Sequence, residues 1–140
     1  MAAFNKFNQF VGDLATKIHN LNADALKIML VSSPAPVAAN TIKANLTEIA
    51  AGNGYTAGGT QAAFVSGNDT AGTYKLILSP VVFTASAGPI GPFEFAVLYN
   101  STAPSGNLIG WWDYGVPITL TAGNSFTVAL DQTNGVLALA

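Results

Sequence analysis

From residue 60 onward the chain is a succession of short apolar runs, each closed by Gly, Pro, Asn or Asp. Runs at 61–66, 73–79, 81–84, 93–99, 108–114, 118–121, 126–130 and 136–139 are separated by GNDTAG, a Gly/Pro-rich 85–92, GVP, AGN and QTNG. Short strands with turn signals at about 8–12-residue spacing are the pattern of an antiparallel β-sandwich or a jelly-roll-like barrel. GNDTAG reads as a hairpin turn between 61–66 and 73–79.

Three strands carry a further constraint. Leu26–Val31, 93–99 and 108–114 are apolar at nearly every position, whereas a sheet with one solvated face alternates apolar and polar residues. The second face of these strands must be covered by an N-terminal helix, by a loop such as 85–92, or by another chain. The last of them, LIGWWDYG at 108–115, holds both tryptophans side by side. Successive strand residues point to opposite faces, so one of Trp111 and Trp112 enters the core while the other packs at an inter-subunit contact or beneath the N-terminal helix.

Ahead of the strands, Phe4, Phe7, Val11, Leu14, Ile18 and Leu21 recur at intervals of three and four, with Phe10 on the same side. This spacing predicts an amphipathic helix of about five turns within 1–22. Asn20 and Asn22 supply its stop. The helix packs either on the domain's own sheet or on a neighbour, and its Phe4, Phe7, Phe10 and Val11 end is the candidate contact with a partner. Residues 32–59 read as an irregular arm between strand 26–31 and the rest of the sandwich. It ends in GNGYTAGG (52–59), where four glycines in eight residues imply positive φ or close backbone approach. A chain of 140 residues is expected to form one domain, burying roughly two-thirds of its unfolded surface.

Composition narrows the chemistry. There is no cysteine and one histidine, His19, so disulfides, thiolate metal sites and His clusters are excluded. His19 reads as a helix-end residue favouring the C-terminal dipole. No nucleophile elbow, Walker loop or carboxylate pair stands out; Glu48, Glu94 and Asp113 are scattered, and Asn68, Asp69, Asp131 and Gln132 fit turn chemistry. The expectation is a protein without catalytic residues, metal or cofactor. With no arginine and a net charge of -2, nucleic acid is not a partner.

No apolar run reaches the 18 or more residues of a spanning helix, so no membrane role is expected. MAAFNKFNQFVGDLATK lacks the apolar core of a secretory signal, which points to synthesis in a cytoplasm. The N-x-[ST] matches at Asn45, Asn68 and Asn100 then carry no meaning. Only 9% of residues are charged, against about 25–35% of surface positions on an ordinary soluble monomer. Mean hydropathy is +0.40. Either the surface is built of Thr, Ser, Asn and Gly, or other subunits cover it. Tyr55, Trp111, Trp112 and Tyr114 are the candidate exposed aromatics for protein or carbohydrate contact.

The blocks IHNLNADALKIMLV (18–31), TEIAAGNGYTAGG (47–59), FAVLYN (95–100), LIGWWDYG (108–115), ITLTAGNSFTV (118–128) and NGVLALA (134–140) resemble a family of small tailed-bacteriophage virion proteins. The similarity runs through nearly the whole chain; GNGYTAGG and the AVLYN and LIGWWDYG pair are its most specific parts. Members are labelled both as head decoration proteins and as tail-fibre proteins. The resemblance implies a viral structural protein made in the host bacterial cytoplasm, and supplies no catalytic residues. A decoration (cement) protein would sit on the outer capsid surface as a homo-oligomer, a trimer. It would bind the major capsid protein and clamp neighbouring capsomers without covalent chemistry, weak contacts summing to high avidity. The alternatives are a tail-fibre or receptor-binding module stacking Tyr55 and Tyr114 on host glycan, and a tail-tube or connector component. No repeat of the kind that builds fibre shafts is visible.

Overall fold

The computed structural model describes residues 2–140. Three antiparallel sheets form a β-sandwich, with one short helix near the N-terminus. The strands are β1 (Phe4–Lys6), β2 (Leu26–Val31), β3 (Thr60–Gln61), β4 (Phe64–Thr70), β5 (Thr73–Leu78), β6 (Val81–Thr84), β7 (Ile90–Asn100), β8 (Leu108–Leu120), β9 (Ser125–Val128) and β10 (Leu137–Leu139); the helix α1 spans Gln9–Ala15. The principal sheet has the order β1-β8-β7-β2-β3, and the pairs β10-β5-β4 and β6-β9 form the two smaller sheets.

The main core lies between them. Leu26, Ile28 and Leu30 of β2, Ala96 and Leu98 of β7 and Trp112 of β8 meet Leu76 and Leu78 of β5, Val81 and Phe83 of β6 and Val128 of β9. A second cluster occupies the other face of the principal sheet: Met29, Val31, Phe95, Val97, Tyr99 and Leu108, closed over by Phe7, Leu46 and Trp111. The two-faced apolar strands are thus covered by the chain's own segments. Phe7 comes from ahead of the helix and Leu46 from the 32–59 arm, while the 85–92 connection contributes Ala85 and Ile90 to the main core instead.

The expected five-turn helix is corrected at both ends. Met1 lies outside the described residues. Phe4, Asn5 and Lys6 pair with Trp112, Trp111 and Gly110 as a strand, and α1 begins only at Gln9. The apolar spacing is real, but Phe4 and Phe7 serve opposite faces of a sheet edge rather than one helix face. Asn5 and Asn8 are weak helix formers, and residues 4–6 pair with β8 at the sheet edge instead. At the other end, Ile18 N–H bonds to Asp13 C=O at 2.8 Å and Lys17 N–H to Leu14 C=O at 3.3 Å. This is a Schellman closure, with Lys17 at φ 70° in the place where glycine is usual. It reverses the chain after two turns.

β8 departs from a plain strand twice. Tyr99 pairs with Leu108 but Leu98 with Gly110, so Ile109 is an inserted residue that shifts the alternation by one. Further on, Phe95 pairs with Asp113 and Phe93 with Ile118. Residues 114–117 therefore oppose Glu94 alone and bulge outward. GVP was expected to separate two strands; it is instead an outcrop within one strand, and 118–120 continue β8. The hairpin at GNDTAG is present but tighter than expected, since β4 runs on to Thr70 and β5 starts at Thr73.

Candidate functional site

The tryptophan pair sits where the bulge at Ile109 resets the pleat. Gly110 and Trp112 face the main core, and Trp111 faces the second cluster. Each ring is covered by a phenylalanine from the N-terminal segment. Phe4 packs on Trp112 with ring centroids 5.3 Å apart, and Phe7 on Trp111 at 4.5 Å. A Cβ at position 110 would run into the Phe4 ring and the Asn5 carbonyl, so glycine is what lets β1 lie so close. Residues 4–7 form a clip over the edge of the sheet, one ring on each side.

The clip settles where the expected contact residues lie. Phe7 and Phe10 are fully buried in their own chain, Phe4 is half-buried, and only Val11, 53% exposed, is free on α1. Trp112 is buried and Trp111 half-buried beneath Phe7. Of the four residues expected at a partner contact, Phe4, Phe7 and Phe10 are engaged within their own chain, and lifting them away would expose Trp111, Trp112 and the core.

Tyr55 is likewise not an exposed aromatic. It is 3% exposed and packs near Phe83, and its hydroxyl replaces a missing stretch of strand. β3 covers the free edge of β2 at Lys27 and Ile28, and residues 47–49 cover it around Val31, through Ile49 N–H to Leu30 C=O and Ser32 N–H to Thr47 C=O. Between them Leu30 N–H donates to the Tyr55 hydroxyl at 3.0 Å, which donates to Glu48 Oε1 at 2.8 Å. Glu48 also accepts from Gly58 N–H and lies 3.5 Å from Lys43 Nζ. Tyr99 donates to Gly58 C=O at 2.6 Å. The GNGYTAGG block is thus bound to β2 and β7 by polar contacts, and its glycines serve folding. No signal in the sequence separated that role from ligand contact.

Tyr114 is half-buried, edge-on to Phe126 at 5.0 Å, and burial pushes its hydroxyl up to about 12. Desolvation also raises Tyr55, Tyr74 and Tyr99. At pH 10, where a free tyrosine is half ionised, the folded chain should show little tyrosinate absorbance. The folded state keeps protons that the unfolded state loses, so stability falls as pH rises above 10. A spectrophotometric titration should show the absorbance appearing together with unfolding. Reversible ionisation of three or four tyrosines near pH 10 in the folded protein would contradict the burial.

The exposed large apolar residues are Phe64 and Val65, 45% and 51% exposed, Val82, Val116 at 62% on the β8 outcrop, Val37 in the arm, Ile18 after α1, and Val11, the one of them expected at a contact. Phe64 and Val65 stand on β4, an outer strand that pairs with β5 alone among the described strands, with Asn22 Nδ2 donating to its Gly67 carbonyl at 3.2 Å. The shift between Phe64 and Ser66 is what leaves two neighbouring residues exposed together. The apolar run AAFV at 62–65 was visible in the sequence, but an edge position was not.

For catalysis the arrangement offers little. His19 is buried and hydrogen-bonded to Asn100, with no hydroxyl or thiol against it in that contact. Among the described residues no three His, Cys, Asp or Glu side chains group as metal ligands, and no helix is long and apolar enough to cross a membrane. No protein-family model, curated protein or solved structure matches the chain.

Proposed function

We propose that this chain is a bacteriophage capsid decoration protein that binds the outer head lattice as a homo-oligomer and stabilises it without covalent chemistry. The observation that carries the reading is the free edge of β4. Seven residues long, it bears one charge, Asp69, and two exposed apolar side chains at one end. Edge strands on monomers are usually guarded by lysine, proline or a covering element. A nearly neutral edge with two exposed apolar side chains, on a chain with 9% charged residues, fits a surface that another subunit covers. The resemblance of its sequence blocks to those of small phage virion proteins suggests the particle, and the major capsid protein is the partner this reading assigns.

Glycan stacking is less well supported. Of the two tyrosines expected to act as platforms, Tyr55 is buried and Tyr114 is packed against Phe126. The test is reconstitution: phage heads assembled without this protein are mixed with it and heated. Added protein should co-sediment with the heads and raise the temperature at which they release DNA. Val65→Lys, a charge on the exposed edge, should reduce co-sedimentation at least about tenfold, the loss of about 1.4 kcal/mol per site, with an unchanged far-UV spectrum. Heads that neither bind nor gain stability would refute the reading.

A further inference from the structure

The one imidazole of the chain is held in a way that favours its neutral form. His19 follows the Schellman closure of α1, and its ring lies under Phe10 at 5.4 Å. Asn100, at the end of β7 and fully buried, fixes it from the other side. Asn100 Oδ1 accepts from Thr102 N–H at 2.9 Å and Ala103 N–H at 3.2 Å. Its Nδ2 donates to Asp24 Oδ2 at 2.6 Å and to His19 Nδ1 at 3.0 Å. Turning the amide over would lose the contacts to Thr102, Ala103 and Asp24, so Nδ2 faces the ring and Nδ1 is obliged to accept. The neutral ring then carries its hydrogen on Nε2, which is buried without a hydrogen-bond partner. A second proton would have to sit on Nδ1, facing an N–H that also donates.

The charged and titratable groups around the ring come from three directions. Asp13, on α1, has Oδ2 3.9 Å from Nε2 and is itself held by Gln9 and Asn107. Asp24, in the turn after α1, also accepts from Asn20 N–H. Lys17 and Tyr74 line the open groove beside the ring. Both carboxylates favour the charged imidazole, but desolvation outweighs them and lowers the pKa from 6.5.

We propose that His19 is a proton-operated latch: the neutral ring fastens α1 and the following turn (residues 9–24) to the end of β7, and protonation loosens that segment while the sandwich beneath stays folded. Geometry makes the effect local. Among the sandwich strands, only the end of β7 is tied to this ring by a hydrogen bond, through Asn100. Phe10 and Leu21 of the segment reach the main core, but the hydrogen bonds that pair β2, β7 and β8 do not pass through the ring. An opened segment takes up one proton below 6.5 that the closed one refuses, so its opening is favoured as pH falls from 6.5 to the lower folded-state midpoint and levels off below it.

Because the chain has one histidine, its ring resonances need no assignment by mutation. Nitrogen-detected NMR of the intact protein should find the Nε2–H tautomer and a midpoint below 6.5. Amide exchange in 9–24, corrected for its intrinsic pH dependence, should rise about tenfold per pH unit from 6.5 down to that midpoint. The amides of β2 and the centre of β7 should not follow. His19→Phe, which keeps a ring but cannot titrate, should make exchange in 9–24 flat over the same range. An Nδ1–H tautomer, a midpoint at or above 6.5, or exchange that rises equally in the strands would overturn the latch in the unmodified protein, whether or not the variant folds. A slope that persists in the variant would assign the effect to Asp13 or Asp24 and overturn it as well.

Discussion

Replacing Phe7 by alanine should destabilise the protein by about 3–5 kcal/mol, the range for removing a fully buried phenylalanine from a core that relaxes only partly. Phe7 is 0% exposed, although it stands outside any regular element between β1 and α1. It closes the second cluster, where Met29, Val31, Phe95, Val97 and Leu108 would otherwise meet water. Its backbone N–H bonds to Ile109 C=O at 3.1 Å, so the clip is fastened at the bulge itself. The variant should also change tryptophan emission in a specific way. Trp111 loses its cover and shifts to longer wavelength, while Trp112 stays under Phe4. Chemical denaturation with fluorescence detection measures both effects. A loss under about 1 kcal/mol would mean that Leu46 and Trp111 close the cluster without Phe7.

Gly59→Ala should be comparably severe, at about 3 kcal/mol or more. Gly59 has φ 78°, and a Cβ there would collide with the Ile28 carbonyl and the Met29 Cα of β2. Neither atom can yield without moving β2. Gly123→Ala is the matched control: its φ is 89°, but a Cβ meets nothing within 4 Å, so only the left-handed backbone costs, about 1–2 kcal/mol. Thermal denaturation of the two variants should therefore separate close approach from conformational strain. Equal losses would mean that the 52–59 block packs less tightly on β2 than described.

Both predictions rest on features that the sequence signalled unevenly. The β class followed from turn-bounded apolar runs, and six of the strands fall within or around the runs read for them. The two-faced character of β2, β7 and β8 was also legible, since a strand buried on both sides shows no alternation. What covered the second face was not. Leu46 reaches it from a segment with no periodic signal of its own, and the three-and-four spacing of Phe4, Phe7, Val11 and Leu14 imitates a helix face. The outcome for Trp111 and Trp112 was half legible. Opposite faces followed from strand geometry, but their covering by one clip depends on β1 pairing with β8, a contact more than a hundred residues apart in sequence. His19 was misplaced for a related reason. A helix-end histidine and one turned inward by a Schellman closure look alike until Asn100 is known to lie against it.

Exposure of Phe64 and Val65 depends on strand order, which decides that β4 is an outer strand. No local pattern encodes that order. The interface residues were therefore sought among the aromatics, which the fold uses for its own interior, while the free apolar surface consists largely of valines.

The most direct test of the decoration reading is the copy number of this protein in purified virions, by quantitative mass spectrometry against the major capsid protein. Lattice-wide decoration predicts a ratio near one. A ratio of a few per hundred would place the protein in the tail and contradict capsid decoration, and its absence from the particle would contradict any virion role.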